Sequence, residues 1–137
     1  MAYVSQESIC KSLLTDANKA KKKGKFGEAE TLYLEALERL ENAAGPVHPR
    51  LAAVLLRLGD FYSAQIRLDD AERIYRRALS IYEHAFGKDN LDVAIALQYL
   101  SEVLDAQGRS SESAEIRQRS KTILSSRLSG FGGRNSS

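Results

Sequence analysis

The amino-acid sequence predicts an all-α fold, an α-solenoid of three helix-turn-helix hairpins. Apolar residues recur at steps of three and four, as they do on one face of a helix. The pattern around Ala29 and Tyr33 also returns 42 residues later, around Ala71 and Tyr75. The sequence contains no run of alternating β-branched residues, so we expect no strand. A fixed period of this length is typical of stacked helical hairpins.

Glycines and capping residues divide the chain into six predicted helices. Gly24 and Gly108 are placed to end helices in a left-handed conformation, Pro49 suits a first helical turn, and Asn90 can cap the helix after it. The helices are expected at about 6–23, 27–44, 49–66, 69–86, 91–107 and 111–127, in repeats of about 6–48, 49–90 and 91–127. They form one repeat domain, residues 1–127, followed by a Gly/Ser tail, 128–137, that we expect to be flexible.

The last predicted helix departs from the repeated pattern. Ser113 and Ser120 stand where the earlier repeat has alanines, Arg117 replaces the aromatic residue and Lys121 replaces a leucine. The final helix of a solenoid has no neighbour on one side, so its outer face must be polar. We therefore expect this helix to cap the array; decay of the third repeat is the alternative.

Composition narrows the class of protein. The chain has 137 residues, 28% of them charged, and a formal net charge of +2, as in ordinary globular proteins. The single Cys10 excludes an internal disulfide and a cysteine-based zinc cluster. There is no apolar run of the roughly 20 residues that a membrane span needs, and the first residues lack a signal-peptide layout. We expect a cytoplasmic protein with no membrane span.

No group of side chains in the sequence indicates catalysis. His48 and His84 lie 36 residues apart near loops, whereas a metal site needs several such ligands together. Cys10 has no evident base partner. The glycines between residues 130 and 133 neither follow a strand nor precede a helix, so they do not form a phosphate loop. We expect no enzyme activity, no metal site and no cofactor.

The repeated residues resemble a known family. Gly59, Tyr62, Ala71, Tyr75 and Ala78 match the small-and-aromatic signature of tetratricopeptide repeats. A standard repeat of that family has 34 residues, and the period of 42 is similar to the long repeats of kinesin light chains. The resemblance covers about residues 10–124.

The resemblance implies a protein–protein interaction module without catalysis. In such arrays the first helix of each hairpin lines a concave groove that binds a peptide or a helix of a partner protein. Matching the family pattern gives groove positions on all three hairpins: Leu14, Asn18, Lys21, Lys22, Leu56, Arg57, Asp60, Ile95, Gln98, Tyr99 and Glu102. Four of them are apolar on a face that solvent should reach, and we expect Leu56, Arg57 and Tyr99 to lie close together there, outside the core.

Two alternatives remain open at this point. The chain could be a structural subunit or a homo-oligomer that makes its contacts through the ends, the convex face or the tail. It could also be a basic module for nucleic acid or acidic membranes, using the five lysines between Lys19 and Lys25. The near-neutral net charge and the lack of interleaved aromatic residues argue against nucleic acid.

Overall fold

A computed structural model describes residues 5–133, and over this range the chain forms six helices and no strand. They are α1 (Gln6–Lys22), α2 (Phe26–Ala44), α3 (Pro49–Ala64), α4 (Leu68–Phe86), α5 (Leu91–Ala106) and α6 (Ser110–Gly133). Each helix packs against the next one in sequence. The predicted all-α solenoid of three hairpins is confirmed. Helix α6 continues to Gly133, so the first part of the predicted tail is helical, and residues 134–137 lie outside the described residues.

The helix ends follow the predicted chemistry with one exception. Asn90 caps α5 by accepting a hydrogen bond from the amide of Asp92 at 2.7 Å, and the Nδ1 atom of His48 does the same for Arg50 at 3.0 Å. Gly24 and Gly108 have φ of 74° and 79° after α1 and α5. In the corresponding turn after α3, the left-handed position is occupied by Ile66, with φ of 60°. Helix α3 therefore ends at Ala64, two residues earlier than predicted. A β-branched residue in the left-handed region is strained.

Tyrosines at the repeated positions fill the spaces between hairpins. Tyr33 is buried and contacts Phe61 of the second hairpin, with ring centroids 5.3 Å apart. Tyr75 is buried and stacks on Tyr99 of the third hairpin. Within the second hairpin, α3 passes so close to Tyr75 that a Cβ added at Gly59 would overlap its ring. Gly59 therefore allows the close approach that the tyrosine needs.

Arginine–glutamate ion pairs join the second helices of neighbouring hairpins, α2, α4 and α6, which we call the outer helices. The positions of these pairs repeat with the same period of 42. Four ion pairs do this: Arg67–Glu30 at 2.8 Å, Arg109–Glu72 at 2.6 Å, Arg119–Glu83 at 2.6 Å and Arg77–Glu41. Helix α6 has Ala114 and Ser125 at the positions that align with these glutamates. At these positions α6 therefore lacks the acidic side chains with which α2 and α4 bind the arginines of the next hairpin.

The four replacements in α6 do not all make a polar outer face, as we had expected them to. Ser113 and Ser120 are buried against α5, and their hydroxyls donate to the carbonyl oxygens of Ser101 at 2.9 Å and Ala94 at 2.8 Å. Small residues are needed there because the helices cross closely, and serine meets that need with its hydroxyl satisfied. Of the four replacements, two present polar groups outward: Arg117, which is paired with Asp105, and Lys121, which is exposed.

Candidate partner-binding groove

A pocket lies between α1 and α3, the first helices of the first two hairpins. It has a volume of about 280 Å³, and most of the surface that lines it is apolar. The apolar side chains are Cys10, Leu14, Leu40, Ala53 and Val54, and the charged ones are Glu7, Lys11, Arg50 and Arg57. An apolar pocket with a few polar groups at its edge is the usual form of a binding site.

The charged rim of this pocket is partly paired. Arg50 of α3 contacts Glu7 of α1 at 3.1 Å, and both side chains are about half exposed. Arg57 is exposed and enters no ion pair among the described residues. Its charge acts on the pocket interior, since it partly offsets the raised pKa that burial gives to the thiol of Cys10. Arg57 is therefore available to an acidic group of a ligand.

A second pocket, of about 210 Å³, lies on α5. Ile95, Gln98, Tyr99 and Glu102 line it, all of them residues singled out from the sequence. Ile95 is 39% exposed, and Gln98 and Glu102 are exposed too. About two turns of helix thus present an aliphatic, an amide, an aromatic and a carboxylate side chain to the same space.

Tyr99 connects this pocket to the core, which the sequence did not reveal. Its ring stacks on Tyr75 with centroids 5.5 Å apart and planes inclined by 16°. The hydroxyl of Tyr75 in turn donates to the carboxylate of Asp60 on α3. Burial, this hydrogen bond and the nearby charges of Asp60 and Glu102 raise the pKa of Tyr75 strongly. Tyr99, like Leu56, is half-buried and packs against the core without belonging to its buried cluster.

The other residues predicted to line the groove differ in exposure. Leu14 is buried, with only 7% of its surface accessible, although solvent was expected to reach it; it belongs to the core and also lines the larger pocket. Leu56, Asn18 and Lys21 are half-buried, whereas Lys22 and Asp60 are exposed. Leu14 lines the pocket together with Cys10, Leu40 and Val54, and the family pattern carries no information on those neighbours.

Charge is distributed unevenly along the first helices. Helix α1 ends in Lys19, Lys21 and Lys22, and the turn after it adds Lys23 and Lys25. Helix α5 instead has the exposed Glu102 and Asp105, and the nearby polar groups of Ser113 and Arg117 lower the pKa of Asp105. None of the five lysines forms an ion pair within the described part of the chain. The first hairpin is therefore the basic end of this surface and the third the acidic end.

Comparison with known proteins agrees with this architecture. A tetratricopeptide repeat family matches residues 20–84 and 50–126, which together cover more than half of the chain. The chain belongs to the tetratricopeptide repeat family. Repeats of this family generally mediate protein–protein interaction. No curated protein matches the sequence.

A solved structure with a similar fold is BtubC (BKLC) from P. vanneervenii. The two share 27% sequence identity and superpose with a TM-score of 0.81 over 88% of this chain. The chain spans about half the length of that protein, 48% of it. The expected similarity to kinesin light chain-like repeats is thereby confirmed. No described helix of the chain is both long enough and apolar enough to cross a membrane.

Proposed function

We propose that this tetratricopeptide repeat domain binds a segment of a partner protein along the surface formed by α1, α3 and α5, without catalysis. The observation that carries the proposal is the apolar pocket of about 280 Å³ between α1 and α3. Its apolar walls suit one apolar side chain of a partner. Lys11 and Arg57 at its edge suit carboxylates on either side of that side chain.

Arg57 is the residue on which the proposal depends most. Arginine is common among the residues that dominate binding energy at interfaces, and this one lines the apolar pocket while remaining exposed. The cytoplasmic location and the lack of enzyme activity expected from the sequence stay predictions.

The test is a selection of 12-residue peptides from a random displayed library, followed by titration of the selected peptides by fluorescence anisotropy. The variant Arg57→Glu should weaken binding about ten-fold or more, which corresponds to about 1.4 kcal/mol. The matched control is Arg73→Glu on the outer helix α4, where the side chain is 71% exposed; it should keep the wild-type affinity. Both variants are first checked for folding by circular dichroism.

The alternatives give different results in the same experiment. A chain that acts only as a subunit of an assembly would yield no peptide whose binding depends on Arg57, and sizing would show a concentration-dependent oligomer. A basic module would instead bind oligonucleotides or anionic vesicles with a steep dependence on salt. Either result would contradict the groove proposal.

A further inference from the structure

The pocket on α5 has the side chains that a basic group needs. Tyr99 forms part of its wall, with one face of the ring covered by Tyr75. Glu102 adds a carboxylate and Gln98 an amide oxygen that can accept a hydrogen bond. Ile95 adds an apolar surface that is 39% exposed. These features match the parts of a lysine or arginine side chain, which has an apolar stem and a charged end.

Two carboxylates near this pocket have no basic partner. Neither Asp60 nor Glu102 enters an ion pair among the described residues. Asp60 is held in place by the hydroxyl of Tyr75. The proposed pocket therefore has two carboxylates beside it that are free of ion pairs among the described residues.

Three basic residues lie near these carboxylates without forming an ion pair with them. Arg57 lies one turn before Asp60 on α3, where it lines the other pocket. Arg117 of α6 binds Asp105. Lys121 borders a neighbouring pocket together with Glu102, without an ion pair between them. Both carboxylates thus stay without an ion-pair partner among the described residues.

We propose that this pocket receives a lysine or arginine side chain of the partner segment, placed over the ring of Tyr99 and paired with Glu102. A cation over a tyrosine face is attracted by the ring, and more strongly where water is partly excluded. The inference rests on the proposed groove function and adds to it the chemical class of one partner residue.

This assignment also gives the partner segment a direction. The pocket between α1 and α3 has Lys11 and Arg57 at its rim, whereas the pocket on α5 has Glu102. A segment with an acidic end and a basic end satisfies both pockets in only one orientation. The reversed segment would place like charges together, which costs affinity and thereby gives specificity.

The experiment repeats the peptide selection with three proteins: the wild type, Glu102→Lys and Glu38→Lys. The control residue Glu38 is exposed on the outer helix α2, so both variants change the net charge equally. With the wild type, lysine or arginine should be enriched at one fixed peptide position. With Glu102→Lys that preference should disappear or change to an acidic residue, and with Glu38→Lys it should stay. The milder Glu102→Gln should weaken a selected basic peptide about five-fold, as expected for a partly exposed ion pair.

Each other outcome overturns a defined part of this account. The selected peptides could depend on Arg57 and yet have no fixed basic position, or they could keep that position with Glu102→Lys. Either result would overturn the basic-residue pocket and leave the proposed function standing. No peptide that depends on Arg57 would overturn both.

Discussion

The ring of Tyr75 in the second hairpin stacks on the ring of Tyr99 in the third, with centroids 5.5 Å apart. The same tyrosine fits against Gly59 and donates its hydroxyl to Asp60. One buried side chain thus holds two hairpins together and fixes an acidic residue of the proposed binding surface. Stability and the geometry of the binding surface are coupled at this position.

Replacing Tyr75 with alanine should destabilise the domain severely. The change removes a buried aromatic ring and its stack on Tyr99, which costs about 3–5 kcal/mol. The aligned Arg117 is 41% exposed in its side chain and forms a surface ion pair with Asp105, so Arg117→Ala should cost about 1 kcal/mol or less. Urea unfolding followed by circular dichroism measures both. Similar losses from the two variants would show that α6 is not the exposed last helix of the array.

Ile66→Gly should stabilise the domain. Ile66 has φ of 60° and is 77% exposed, so its side chain gains little from packing while its backbone is strained. Glycine relieves a strain of about 1–2 kcal/mol and loses part of that gain to chain entropy, leaving about 0.5–1 kcal/mol. The control Ile66→Ala shortens the side chain but keeps the unfavourable φ, and should gain less. A loss of stability in the glycine variant would mean that Ile66 makes contacts that favour the isoleucine.

Glu30 should contribute to the acid sensitivity of the fold. Hydrogen bonds from Arg67 and Tyr62 lower the pKa of Glu30 below its ordinary value of 4.5. A carboxylate with a lowered folded-state pKa contributes stability that is complete above the unfolded value and is lost as the pH falls through the folded one. The unfolding free energy of Glu30→Gln should therefore decline less between about pH 5 and pH 3 than that of the wild type.

The matched control for Glu30 is Glu38→Gln, a change at an exposed residue of the same helix that enters no ion pair among the described residues. This variant should follow the wild-type pH profile. Parallel curves for all three proteins would show that the contact of Glu30 with Arg67 contributes nothing to stability.

Removing the charges of Lys21, Lys22 and Lys23 tests the basic-module alternative. These residues lie in the last turn of α1 and just after it, and changing them to glutamine should alter stability by about 1 kcal/mol or less. Our account predicts that a filter-binding titration with an oligonucleotide gives no difference between the wild type and this variant at physiological salt. Salt-dependent binding that the triple variant loses would instead support a nucleic-acid function.

Much of the fold could be predicted from the sequence because its repeat is local and regular. The period of 42 identified Tyr33 and Tyr75 as equivalent positions, which both contact the next hairpin, and capping chemistry placed the start of α5 at Asn90. Ile66 was not predicted as a left-handed residue, because nothing in its chemistry favours that conformation. Ile66 occupies the turn position at which the first and third hairpins have Gly24 and Gly108, and the geometry of that turn sets its conformation.

The candidate site was harder to predict, since exposure depends on neighbours from other helices. The family pattern pointed to α1, α3 and α5 but could not tell that Leu14 is covered or that Tyr99 stacks on Tyr75. The apolar pocket needs Leu40 from α2 as well as Cys10 and Val54. Only the packing of three helices brings these side chains together.

The most direct test of the central claim is the chemical-shift map of the isotope-labelled protein with a selected peptide bound. Our account predicts that the amides with large shifts lie on α1, α3 and α5, including those of Arg57 and Glu102, while α2 and α4 change little. A map centred on the outer helices, or on the turn between Lys19 and Lys25, would contradict it.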